Sequence, residues 1–107
     1  MIKQSEKTLT KKILKALNEL PKTKAVKREA SAVRNGQADI TGAYKGTRFE
    51  IEVKVGYNKP TKLQTQWLDD WKAIGCIAGC VWSLDETMLL LLNFEKQYKK
   101  KQRSINF

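Results

Sequence analysis

The sequence predicts an α/β domain: a mixed central sheet flanked by helices, in the order helix, three strands, helix, strand, helix. Three observations predict it. An apolar stripe of helical period runs through residues 5–20, strict two-residue alternation runs through residues 48–55, and a wholly apolar run spans residues 77–82. The last pattern is expected of a strand covered on both faces of its sheet.

Each element follows in turn. Ser5 to Leu20 places Leu9, Ile13, Ala16, Leu17 and Leu20 on one stripe and Lys7, Lys11, Lys12 and Lys15 largely off it, and Pro21 ends the helix. Glu6 precedes Leu9 by three residues and Ile13 by seven, so it lies along the buried stripe, as a first-turn dipole partner or as a ligand reaching into a site. Lys24 to Ala32 reads as a strand of weak pattern, followed by a turn at Asn35-Gly36. Ala38 to Tyr44 and Arg48 to Val55 read as two strands around Lys45-Gly46. The second sets Phe49, Ile51, Val53 and Val55 on one face and Glu50, Glu52 and Lys54 on the other. Gly56 to Lys59 is a loop. A helix from Lys62 to Ile74 begins after Pro60-Thr61 and stops at Gly75. Ile77 to Trp82 is the apolar strand. Ser83-Leu-Asp-Glu86 spells a capping box for a last helix from Leu84 to about Tyr98, although Met88 to Leu92 also fits a strand. Lys99 to Phe107 reads as a frayed basic tail.

A chain of 107 residues allows one domain, 1–107, with one modest core. The absence of histidine excludes His-based acid/base catalysis, Ser–His triads and most zinc sites. Two cysteines make no disulfide framework, and no run of about 18 apolar residues exists to span a membrane. Met1 to Glu6 lacks the apolar stretch of a secretory signal, so a reducing cytoplasm is the expected location.

The net charge of +10 points to a polyanion as partner, with nucleic acid first. Residues 1–34 carry ten basic and three acidic side chains, residues 35–94 six and seven, and residues 95–107 five and one. The ends attract phosphate while the middle concentrates carboxylates. Each such acid repels a bound phosphate backbone, so acids inside a basic shell are better explained by a divalent cation than by nucleic-acid coating alone. For the last ten residues a solvated tail explains the charge equally well.

With Lys45-Gly46 as a two-residue hairpin loop, Tyr44 faces Thr47, Gly42 faces Phe49, Thr41 faces Glu50 and Asp39 faces Glu52, with Lys54 on the same face. Two unit charges about 5 Å apart repel by roughly 3 kcal/mol at an effective dielectric of about 20. Mg²⁺ or Mn²⁺ between the two carboxylates offsets that cost, and carboxylates with backbone oxygen and water suit such a hard cation rather than zinc. The cation would activate water and neutralise charge on a phosphoryl oxygen. Lys54 would orient that water or stabilise the transition state. A charged solvent face is the competing explanation.

These residues resemble a known family. Asp39 followed by Glu52-Val53-Lys54 is similar to the D…E-x-K signature of the PD-(D/E)XK nucleases. Gly36-Gln-Ala-Asp39-Ile-Thr-Gly42, Tyr44-Lys-Gly46, Phe49-Glu-Ile-Glu-Val-Lys54, Lys59-Pro-Thr-Lys-Leu-Gln64, Gly75 and Val81-Trp-Ser83-Leu-Asp-Glu86 resemble the stand-alone VRR-NUC nucleases found mainly in bacteriophages. The resemblance covers about residues 5–92. It implies a restriction-endonuclease-like αβββαβ core, Asp39 and Glu52 as metal ligands with the Val53 carbonyl, and Lys54 as the catalytic lysine. It further implies Gln64 near the water or substrate and Glu6 as the first-helix acid that completes the site. Ala38 departs from the proline usual before the aspartate, which removes no chemical group.

The expected function is therefore metal-dependent, structure-selective DNA hydrolysis. Holliday-junction resolution by a homodimer comes first, because two symmetric strands must be cut. Met88 to Phe94 and the second helix are candidate dimer surfaces. A flap or non-specific nuclease, or a catalytically idle nucleic-acid-binding module, is the alternative. Gln64 also completes a capping box with Thr61, which needs no site role. Glu50, nearer the turn, reads as a surface acid. Trp67, Trp71 and Trp82 read as core, and Cys76 and Cys80 as small buried hydrophobes. Lys59 and Lys62 frame the second helix as phosphate contacts or solvated lysines.

Overall fold

The computed structural model describes residues 5–29 and 36–105. Its elements are α1 (Glu6–Glu19), β1 (Thr23–Lys27), β2 (Ile40–Tyr44), β3 (Thr47–Val53), α2 (Lys62–Ala73), β4 (Ile77–Val81) and α3 (Leu84–Ile105). They form a mixed four-stranded sheet in the order β1-β2-β3-β4, antiparallel between β1, β2 and β3 and parallel between β3 and β4. This is the predicted α/β class and element order.

Local chemistry sets the helix ends. Ser5 Oγ accepts the Thr8 amide at 3.1 Å, capping α1, and the chain turns extended at Leu20 before Pro21. Ser83 Oγ accepts the Glu86 amide at 3.1 Å at the start of α3. The run Met88 to Leu92 is helical. Thr87 and Leu91 point inward while Leu89 and Leu92 are exposed, a helical rather than an alternating pattern.

α3 runs past Tyr98 to Ile105, beyond the end expected for the last helix, while Asn106 and Phe107 of the expected tail lie outside the described residues. The stretch holds no Gly or Pro, and its lysines lie toward the C-terminal end, where the helix dipole favours positive charge. The strands are shorter than expected at several ends. Of the stretch Lys24 to Ala32, residues 30–32 lie outside the described ones, as do Asn35 of the Asn35-Gly36 turn and Met1 to Gln4.

The two sheet faces differ in chemistry. Phe49, Ile51 and Val53 of β3, with Ile77 and Val81 of β4, pack on Leu9, Ile13 and Leu17 of α1 and Leu91 of α3. On the opposite face Ala38, Leu68 and Ala78 form a smaller cluster under α2, joined by Trp67 and Trp71. Every residue from Phe49 to Val53 is buried, Glu50 and Glu52 included. The charged face of β3 is therefore roofed by α2. Gly42 lets β1 approach, because a Cβ there would collide with the Lys24 carbonyl and the Phe49 ring. Among the described residues no helix is long and apolar enough to cross a membrane.

Candidate functional site

The site is built by the β2–β3 hairpin. Lys45 and Gly46 both take positive φ, 48° and 85°, the type I′ geometry whose twist matches that of the strands. It sets Tyr44 opposite Thr47, Gly42 opposite Phe49, Thr41 opposite Glu50 and Ile40 opposite Ile51, the register read from the sequence. One step further the ladder ends and Asp39 meets Glu52.

The two acids interlock. The Asp39 amide donates to Glu52 Oε1 at 3.1 Å, and Asp39 Oδ2 accepts the Val53 amide at 3.1 Å. Lys54 Nζ stands 3.3 Å from Glu52 Oε2, while the Lys54 amide donates to the Val81 carbonyl at 3.0 Å, fixing this end of β3 against β4. Asp39, Glu52 and Lys54 are thus brought together as expected. Glu52 is 1% exposed. Burial pushes its carboxyl up to about 7, the neighbouring Asp39 adds to the rise, and Lys54 opposes it.

The donor set fits a hard divalent cation. Asp39 and Glu52 supply carboxylate oxygens. Since the Val53 N–H donates to Asp39 and a strand residue's N–H and C=O face the same side, the Val53 carbonyl lies on the side of β3 that meets Asp39. Mg²⁺ commonly takes one or two carboxylates and keeps several waters. Among the described residues no three His, Cys, Asp or Glu side chains gather closely enough to share an ion, so Glu6 stands apart from the pair. The faces of the sheet explain this: α1 packs over Phe49, Ile51 and Val53, while Glu52 points toward α2.

Gln64 closes the α2 capping box. Its Oε1 accepts the Thr61 amide at 2.9 Å and its own amide donates to Thr61 Oγ1 at 3.1 Å. No hydrogen bond among the described residues joins it to Asp39 or Glu52. The segment entering β2 nevertheless passes close to α2, since a Cβ on Gly36 would lie 2.9 Å from that of Leu63. Lys59 and Lys62 are exposed on the approach to α2. Their loop is tied down by Trp82, whose indole N–H donates to the Asn58 carbonyl at 2.9 Å, and it presents Tyr57 at 99% exposure.

Glu50 overturns the surface-acid expectation. It is fully buried and accepts hydrogen bonds from Arg28 Nη1 (2.6 Å) and Nη2 (3.2 Å), Arg48 Nε (3.2 Å), Trp67 Nε1 (2.7 Å) and Thr41 Oγ1. Burial alone would raise its carboxyl, yet Arg28, Thr41 and Trp67 outweigh it and hold Glu50 below the ordinary range. Trp67 and Trp71 are half-buried rather than plain core. The Arg48 guanidinium sits 3.6 Å from the Trp71 ring centre and that of Arg28 sits 5.2 Å from Trp67.

Two neighbours escaped the sequence. Cys80 lies opposite Glu52 across the parallel β3–β4 pair, and burial, then the Glu52 charge, pushes its thiol up to about 11. Arg28 lies opposite Asp39. Its signal was the β1–β2 register, which the long connection between those strands leaves unspecified. No protein-family model, curated protein or solved structure matches the chain.

Proposed function

We propose that this protein is a divalent-cation-dependent DNA endonuclease of VRR-NUC type, hydrolysing phosphodiester bonds in branched DNA. The observation that carries the reading is the interlocked pair of a buried Glu52 and a half-buried Asp39, with Lys54 alongside. Asp39, Glu52 and the Val53 carbonyl would hold Mg²⁺ or Mn²⁺. When bound, the cation lowers the pKa of a coordinated water and neutralises phosphoryl charge.

The chain's own residues do the rest. Lys54, tethered at backbone and side chain, presents an ammonium that orients a water toward phosphorus and offsets charge on the non-bridging oxygens. Water gives up one proton to solvent as it adds to phosphorus, one P–O ester bond breaks, and the leaving oxygen takes up a proton from solvent. Lys59 and Lys62 attract the flanking phosphates, and Gln64 would contact the water or substrate from the α2 N-terminus. The four-way junction is the favoured substrate, with a homodimer supplying two cuts related by twofold symmetry.

A nucleic-acid-binding module without catalysis is the second reading. It is favoured by the absence of a third acid gathered with Asp39 and Glu52 among the described residues. A panel of junction, flap, duplex and single-stranded DNA, titrated with Mg²⁺ and with Mn²⁺, separates them. The nuclease reading expects metal-dependent cleavage strongest on the junction. Cleavage strongest on flap or duplex changes the substrate, and binding without cleavage under either metal overturns the enzyme.

A further inference from the structure

We infer that Arg28 is the positioning residue for the Asp39 carboxylate, which rests on the reading of Asp39 and Glu52 as the cation-holding pair. β2 begins only at Ile40, so Asp39 is outside the ladder and needs other partners to fix its backbone. Arg28 supplies them. Its amide donates to the Asp39 carbonyl at 2.8 Å, and its Nη1 donates to the Ala38 carbonyl at 2.9 Å. The peptide leading into Asp39 and the one leaving it are therefore both held by one residue.

The guanidinium that does this is itself immobilised. Nη1 and Nη2 grip both oxygens of Glu50, forming a bidentate pair, with Trp67 packed on the same group and hydrogen-bonded to the same carboxylate. Glu50 is fully buried on β3, two residues from Glu52. Position thus passes from the centre of the sheet through Glu50 and Arg28 to the backbone of Asp39. The opposing acid, Glu52, rises from the same strand. An element that fixes both members of the pair to one strand controls the gap between them, and partners of this kind behind a metal ligand commonly change affinity by 10- to 100-fold.

A merely structural ion pair would stabilise the fold without governing Asp39 in particular, and the test separates the two. Arg28→Lys keeps a positive charge for Glu50 and the backbone bond to the Asp39 carbonyl, but its single ammonium lacks the planar two-nitrogen fork that grips both Glu50 oxygens while reaching the Ala38 carbonyl. Trp67→Phe removes a different bond to Glu50 and leaves every Arg28 contact to Ala38 and Asp39 in place. Hydrogen exchange at the Val53 and Asp39 amides, in metal-free protein, reports the interlock directly. Mn²⁺ binding reports the site.

In Arg28→Lys, exchange at both amides should accelerate about tenfold or more and Mn²⁺ affinity fall by about 10- to 100-fold. In Trp67→Phe both should stay within about twofold at matched fraction folded. Unchanged exchange in folded Arg28→Lys overturns the inference, as does an equal acceleration in Trp67→Phe. Should Arg28→Lys fail to fold, Arg28→Met/Glu50→Gln, which strands no buried charge, carries the same readouts. Accelerated exchange in a protein whose wild type takes up no Mn²⁺ leaves Arg28 as the holder of Asp39 and removes the cation reading instead.

Discussion

Asp39 and Glu52 hold each other through the backbone: the amide of Asp39 reaches Glu52, and the carboxylate of Asp39 reaches the residue after Glu52. Two acids so joined cannot relax apart without breaking a hydrogen bond at the end of the sheet. Their repulsion is therefore built into the folded chain, with Lys54 as its nearest compensation.

Replacing Glu52 by Gln should separate function from stability. The amide oxygen of Gln can still accept the Asp39 N–H, and the buried charge is gone. We expect Glu52→Gln to raise the metal-free melting temperature at pH 8 by a few degrees, on the order of 1 kcal/mol, while lowering cleavage by about 10²-fold or more. Thermal unfolding beside a cleavage assay checks both.

The same group sets a pH dependence. The Glu52 carboxyl is pushed up to about 7, above its unfolded value, so the folded chain holds this proton more tightly than the unfolded chain does. Its contribution to metal-free stability is greatest at acid pH and is lost as pH rises from the ordinary carboxylate range through about 7. Glu50 runs the other way. Its lowered value adds stability above the ordinary range that is lost as pH falls through the folded value. Denaturation across pH should show the first slope in wild type and not in Glu52→Gln.

Gln64 has two roles to separate. Gln64→Ala removes one arm of the capping box and should cost about 0.5–1.5 kcal/mol, whereas Gln64→Glu preserves it. Denaturant unfolding measures the cap. If Gln64 also serves the substrate, cleavage falls in both variants, and if it only caps α2, Gln64→Glu cleaves like wild type.

Gly42 and Gly79 should respond differently to alanine. At Gly42 the new methyl meets the Lys24 backbone and the Phe49 ring, so we expect a loss of about 1–3 kcal/mol or more. At Gly79 its nearest neighbour is the flexible Leu90 side chain at 3.2 Å, and the loss should stay below about 1 kcal/mol. Urea midpoints decide the comparison.

The parts of the fold governed by local chemistry were legible in the sequence. The Lys45-Gly46 turn carried the hairpin register and with it the meeting of Asp39 and Glu52, because a two-residue loop leaves no slack in pairing. Ser5, Thr61 and Gly75 marked helix ends through caps that depend on neighbours only. What escaped depends on distant packing. Glu50 looked like a surface acid because alternation cannot reveal that α2 covers the second face. Arg28 was invisible because no short turn links β1 to β2, and Cys80 came alongside Glu52 only through a parallel pairing across a whole helix.

The most direct test is junction cleavage and junction binding measured together for wild type, Asp39→Asn and Lys54→Ala, in Mg²⁺ or Mn²⁺. Wild type should cut, both variants should bind within a few-fold of it, and both should lose cleavage by about 10²-fold or more. Cleavage persisting at the wild-type rate in either variant would rule out Asp39 and Lys54 as the residues that carry the reaction.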